Sequence, residues 1–149
     1  MNRIIILFLL LSASALAQEG IGYLFAAPGR DGGATVQGGV GGEMVWRWVG
    51  LGSDISYLAP QKSFSNGVGV WDLDPSIHFK RHEDSHIDPY ITGGYTLLFR
   101  DGEHSGGNIG AGVNWWFARD VGLRVEVRDQ VVEQTNYWGV RFGVNFHVF

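Results

Sequence analysis

The 149 residues predict an all-β protein, an eight-stranded antiparallel up-and-down transmembrane β-barrel, and three observations point there. Apolar residues alternate with polar residues or glycine along most of residues 18–149, which is the period of a strand and not of a helix. The composition joins 23 glycines, about twice the usual ~7% share, to 13% aromatic residues, with only 17% charged and 4 prolines. A disordered chain would be richer in charge and poorer in aromatics. The alternating stretches number eight, an even count with no helical pattern between them, as a closed antiparallel barrel requires.

The first segment is read as an address. Met1-Asn2-Arg3 precedes an apolar run from Ile4 to Leu11, and Ala15-Leu16-Ala17 closes it. A basic start, a short apolar run and a small-residue site are the three parts of a secretory signal peptide, with cleavage expected after Ala17. The run is too short to span ~30 Å of hydrocarbon. Residues 18–149 are then expected to form one barrel domain, with no second domain after it.

The strands follow in order, at about 19–28, 33–46, 49–59, 67–80, 87–99, 106–117, 120–130 and 137–149. The first rests on Ile21, Tyr23 and Phe25. In the second, Val36, Val40, Met44 and Trp46 oppose Gln37, Gly39, Gly41 and Glu43. Leu51, Ile55, Tyr57 and Ala59 oppose Gly52, Asp54 and Ser56 in the third. Trp71, Leu73, Ile77 and Phe79 alternate with Asp72, Asp74, Ser76, His78 and Lys80 in the fourth. In the fifth, Ile91, Gly93, Tyr95, Leu97 and Phe99 face away from Tyr90, Thr92, Gly94 and Thr96. The sixth sets Ile109, Ala111, Val113, Trp115 and Phe117 against Gly110, Gly112, Asn114 and Trp116. The seventh sets Val121, Leu123, Val125 and Val127 against Gly122, Arg124, Glu126 and Arg128. The eighth sets Trp138, Val140, Phe142, Val144, Phe146 and Val148 against Gly139, Arg141, Gly143, Asn145 and His147. A tilted membrane strand needs about nine to eleven residues, and most of these reach that length.

The connections alternate in type. After the first, third, fifth and seventh strands come polar segments of about five to eight residues, around Pro28–Gly32, Pro60–Ser63, Arg100–His104 and Glu133–Asn136. Shorter turns at Arg47-Trp48 and Ala118-Arg119 and a charged turn, Arg81–His86, join the others.

The faces carry the functional reading. Glu43, Asp54, Asp72, Asp74, Arg124, Glu126, Arg128 and Arg141 share the polar phase, and an arginine facing lipid at the midplane would cost about 2–4 kcal/mol. These charges are therefore expected inside, as a lumen network. Trp46, Trp115, Phe117, Trp138 and Phe146 lie on the apolar phase as candidate girdle aromatics. The interior of eight strands is just wide enough for side chains, so glycines on the polar phase would leave room for long charged ones.

At this point the chain resembles the small outer-membrane β-barrels of the OmpA-like type. The resemblance rests on Gly38-Gly39-Val40-Gly41-Gly42-Glu43, Asp88-Pro89-Tyr90-Ile91-Thr92-Gly93-Gly94, Asn108-Ile109-Gly110-Ala111-Gly112-Val113 and Val121–Arg128. It implies a polar, salt-bridged interior, location in the cell outer membrane and contact with its lipid. It also implies a monomer that meets periplasmic chaperones and the barrel-assembly machinery. Such barrels end on an aromatic residue that this machinery reads. Phe149 supplies one, although it follows Val148 and falls on the inward phase.

Other chemistry is weighed and set aside. Zero cysteines exclude a disulfide scaffold and a thiol nucleophile. A net charge of −4 without a basic cluster speaks against nucleic acid. His82 and His86, with Glu83 and Asp84 between them, sit in a turn and not on a helix, so a solvated turn is preferred to a metal site. Glu103-His104-Ser105 holds the residue types of a triad in one loop, but sequence neighbours rarely converge in triad geometry, and the adjacent His104 and Ser105 would point to opposite faces. No cofactor, metal or catalytic residue is expected. The expected role is structural, in envelope integrity; the alternatives are a narrow pore or small-solute transport barrel, and an exported lipocalin-like binder with its faces reversed.

Overall fold

The computed structural model describes residues 19–80, 85–100 and 102–148. Eight strands follow one another round a closed barrel: β1 Glu19–Arg30, β2 Ala34–Trp46, β3 Val49–Pro60, β4 Val68–His78, β5 Ile87–Arg100, β6 Gly102–Trp116, β7 Val121–Val132 and β8 Thr135–His147. Each pairs antiparallel with its chain neighbours, and β8 returns to β1 from Ile21↔His147 up to Arg30↔Trp138. The expected all-β, up-and-down architecture is the observed one. Residues 1–17, His82 to Asp84 and Phe149 lie outside the described residues, and with them the signal peptide, most of the His82–His86 turn and the assembly signal.

The polar connections are shorter than expected. Arg30 pairs with Ala34, Arg100 with Gly102 and Val132 with Thr135, so three of the four reduce to tight hairpins. The chain reverses on left-handed residues, with φ 97° at Gly32, 145° at Gly102 and 56° at Glu133. Glu103, His104 and Ser105 are paired strand residues, not loop. They lack alternation because both faces meet solvent, whereas backbone pairing needs no apolar face. The β3–β4 connection stays longer and holds a 3-10 turn, Phe64–Asn66. The Tyr57 hydroxyl ties it down by donating to the Phe64 carbonyl at 2.6 Å and accepting from the Gly67 N–H at 3.1 Å. These four connections mark the hairpin end of the barrel; Arg47-Trp48 and the β4–β5 and β6–β7 turns mark the other, the turn end.

A closed barrel has no edge on which to place a proline, so prolines must sit at gaps in the ladders. The β1–β8 register skips the level of Pro28, and the β4–β5 register jumps from Leu73↔Tyr95 to Ser76↔Thr92 past Pro75. There the Thr92 hydroxyl donates to the Pro75 carbonyl at 3.0 Å and satisfies the acceptor.

Seven strands turn their apolar phase outward, with Val40, Ile55, Ile77, Ile91, Ile109, Val127 and Phe142 exposed. β1 reverses this. Ile21, Tyr23 and Phe25 are buried in the lumen, and Leu24 is exposed instead. Both phases of β1 are apolar or small, so alternation cannot choose between them. The neighbouring strand does: Tyr23 pairs with Gly41 and Phe25 with Gly39. A side chain at Gly41 would lie 2.5 Å from the Tyr23 ring, so the missing side chain there makes the space that ring occupies.

Candidate functional site: a charged lumen between two apolar clusters

The period-two phase places Arg124, Glu126 and Arg128 of β7 one above another on the inner wall, with Arg141 of β8 beside them. Asp72 and Asp74 face them from β4, Asp54 from β3 and Glu43 from β2. All eight are at most 5% exposed, and the structure brings all eight into one network.

The three arginines organise it. Arg124 donates to Glu43 at 3.1 Å and to Glu126 at 3.0 Å. Arg128 holds Glu126 through Nε at 2.5 Å and Asp74 through Nη1 at 2.5 Å, with Asp72 at 3.4 Å. Arg141 bridges Asp54 and Asp72, both at 2.9 Å. Arg124 also lies between two rings, with Cζ 4.4 Å from the centroids of both Tyr23 and Tyr90; Arg141 lies 4.3 Å from Phe25. A guanidinium is flat and weakly hydrated, so it can bond in its plane and stack on both faces at once.

Several members are missing from the sequence reading. His78 is buried with Nδ1 2.8 Å from Asp88 and Nε2 3.0 Å from Glu43. Carboxylates only accept, so both ring nitrogens donate and the ring is an imidazolium, a fourth cation. Asp88 adds a sixth carboxylate and takes a further bond from Asn114 at 3.2 Å. Four cations do not neutralise six acids, and neutral donors serve the remainder. Tyr90 donates to Glu126 at 2.5 Å, Gln130 to Asp72 at 2.7 Å, Asn108 to Asp74 at 2.8 Å, and Thr96 to Asp72. Each of these residues lies on the same inward phase as its strand's charged or glycine positions. Extending the phase, without requiring charge, is the signal that finds them.

Apolar clusters bound this layer at both levels. Leu58, Val70, Leu98 and Val132 point inward at the hairpin end, with Val68 and Tyr137 packed against them. Ile21, Val45 and Trp116 do so at the turn end. Between the charge layer and the hairpin end lies a water-sized hollow of about 10 Å³, lined in part by Gln37, Gln130, Arg128 and Arg141.

Three chemical readings can be tested against this geometry. Asp54, Asp72 and Asp74 bring carboxylate oxygens within 4.8 Å of one another, as a cation site would. The Arg128 and Arg141 guanidiniums already occupy the cationic positions among them. Ser76, His78 and Asp88 line up like a triad, with Ser76 Oγ 3.2 Å from His78 Nε2. Yet the Ser76 hydroxyl donates to Glu43, and an imidazolium has no lone pair to take its proton, so His78 does not serve Ser76 as the base of a triad. His104 instead pairs with Glu133 at 2.7 Å on the exposed hairpins, and Ser105 is its strand neighbour.

On the outside, Trp46, Trp115, Phe117 and Phe146 lie on the outward phase at the turn end. Trp138 stands alone of the five at the hairpin end. Tyr57, Trp71 and Tyr95 share its level, a ring the sequence reading left incomplete.

No protein-family model matches the chain, and no curated protein does. Solved structures do. The chain is similar to the N-terminal β-barrel domain of Pseudomonas aeruginosa OprF, with a TM-score of 0.72 and 16% identity, covering 88% of this chain and 98% of that one. Neisserial surface protein A follows at TM-score 0.63 and 13% identity, over 86% of this chain and 95% of that one. Ail, the attachment invasion locus protein of Yersinia pestis, aligns at 0.61 and 9% identity, over 88% and 98%. At these identities the likeness carries the fold, that of the eight-stranded outer-membrane barrels.

Proposed function

We propose that this chain is a structural barrel of the cell outer membrane, a monomer with no catalytic activity, inserted by the barrel-assembly machinery. Its lumen is a sealed polar core and not a solute path. The observation that carries this reading is the inversion of the usual soluble pattern: ion-paired charge inside, apolar side chains outside. A lipocalin-like binder needs the opposite arrangement, an apolar cavity within and a polar exterior. The fold shared with outer-membrane barrels supports the location, and the two aromatic levels match the girdles that flank a ~25 Å apolar band. The short hairpins leave little surface for a large soluble partner, which favours an envelope role over a receptor role.

The test is fractionation followed by conductance. The full chain is expected in the outer-membrane fraction, extractable only with detergent, and migrating faster on gels when unheated than when boiled. In planar bilayers it should give no measurable conductance. A protein soluble without detergent would overturn the membrane assignment, and steady conductance would replace the structural role with that of a narrow pore.

A further inference from the structure

The β3–β4 connection at the hairpin end carries the one Asn-Gly step of the sequence, Asn66-Gly67. At such a step the backbone nitrogen of the second residue can attack the side-chain amide carbon of the first. A following glycine, without a Cβ, hinders that approach least. Asn108, Asn114, Asn136 and Asn145 instead precede Ile109, Trp115, Tyr137 and Phe146, whose side chains are bulky.

Packing explains why a glycine stands there. Gly67 is buried, and a Cβ on it would run into the Tyr57 ring and hydroxyl. That close approach lets the hydroxyl accept from the Gly67 N–H at 3.1 Å while donating to the Phe64 carbonyl at 2.6 Å. One glycine therefore both leaves Asn66 open to attack and admits the ring that restrains it.

The restraint falls on the reacting atoms. The nitrogen that would attack is the one bonded to Tyr57. Asn66 is the last residue of the 3-10 turn, where ψ stays at about −20 to −30°. Cyclisation needs Cβ and the next nitrogen on the same side of that bond, so the turn must open first. Arg100 holds the other side, donating to the Asn66 carbonyl through Nη1 and to Asn66 Oδ1 through Nη2 at 3.4 Å. Asn66 itself is exposed, so water is at hand.

We propose that Asn66 is a self-modification site gated by Tyr57. When the turn opens, the Gly67 nitrogen bonds to Asn66 Cγ and gives up its proton to solvent. The Cγ–Nδ2 bond breaks, and the nitrogen leaves as ammonia with a proton from solvent. Water then opens the cyclic imide at either carbonyl, giving aspartate or isoaspartate at position 66. Aspartate places a carboxylate where Arg100 already donates, and the charge-assisted bond tightens the turn. Isoaspartate lengthens the backbone by one carbon and takes Gly67 off the Tyr57 hydroxyl.

The experiment incubates the full chain in mildly alkaline buffer, folded in lipid vesicles and, in parallel, unfolded in urea. Peptide mass spectrometry follows the amide-to-acid mass gain, and isoaspartate is assayed separately. In urea, Asn66 should convert ahead of the other asparagines. In the folded barrel it should convert more slowly by well over tenfold, because reaction waits on local opening. Tyr57→Phe should recover on the order of tenfold of that rate, the scale of the hydrogen bonds it removes. Tyr95→Phe, which deletes a hydroxyl at the same aromatic level, should leave the rate unchanged. Heat-modifiable migration shows that both variants are intact barrels, and the folded-against-unfolded comparison stands without them. Equal rates in the folded and unfolded chain would overturn the proposal. So would an unchanged rate in Tyr57→Phe, an equal gain in Tyr95→Phe, or conversion in urea led by another asparagine.

Discussion

At the scale of single residues, Arg124 is the side chain with most at stake. It bonds two carboxylates from different strands and is stacked between Tyr23 and Tyr90. Its partners depend on absent side chains: one at Gly112 would lie 2.5 Å from the Tyr90 hydroxyl, as one at Gly41 would crowd Tyr23. Two inward glycines, Gly41 and Gly112, therefore make room for the rings that clasp the arginine, and Gly50 makes room for Ser76, Glu43 and His78. Forming a buried ion pair is close to neutral overall, but removing one partner strands the other charge and costs about 3–5 kcal/mol. Arg124→Ala is expected to destabilise the barrel by about that much, read as a lower urea midpoint in lipid vesicles. Arg124→Lys should fall between the two, because an ammonium keeps the charge but loses the planar fork and much of the stacking. If Lys were as costly as Ala, the geometry of the guanidinium would be the whole of its value; if Ala cost under 1 kcal/mol, the network would be ornamental.

At the scale of strands, close approach explains which glycines are required. A side chain at Gly94 would collide with the Leu73 carbonyl, and one at Gly106 with the Val131 carbonyl, both backbone atoms that cannot swing aside. Gly38 and Gly42 face outward, with the nearest atoms to an added Cβ at 3.8 and 3.6 Å. Gly94→Ala is thus expected to lower stability by about 1–3 kcal/mol, as overpacking does. Gly38→Ala should be neutral or raise it by about 0.4–1 kcal/mol through reduced freedom of the unfolded chain. Thermal gel-shift midpoints of the two variants check the contrast, and equal effects would refute it. The strand scale is also where the sequence is most legible. Period two settles the face of every residue once one charge is placed, which is why the eight lumen charges can be read directly. It fails on β1, where Ile21 and Leu24 compete for the inside and Gly41 of the next strand, by leaving room for the Tyr23 ring, decides. It fails again at the hairpins, where Glu103 to Ser105 are solvated on both sides and leave no pattern. And it passes over Leu58, Leu98 and Val132, apolar residues on an inward phase that the charges had marked as polar.

For the molecule as a whole, those three residues change what the lumen can do. A charge network alone leaves its edges open to water, but here it lies between two apolar clusters, and a dry environment strengthens each ion pair. On the proposed reading the barrel has two kinds of seal in series, and breaching one should not open a path. Leu58→Ser with Leu98→Ser would wet the hairpin end as far as Arg128 and Asp74. The inner layer, with Arg141 joining Asp54 to Asp72 and Arg124 joining Glu43 to Glu126, would still span the lumen. This variant is expected to remain folded, since serine is small and its hydroxyl can bond to the water it admits. Its bilayer conductance should stay at baseline while the amides of β3 and β5 near residues 58 and 98 exchange hydrogen faster. Steady conductance from this variant would mean that ions pass the arginine layer once the apolar cap is gone. The charges would then belong to a gated path, and the structural role proposed for the barrel would have to give way to transport.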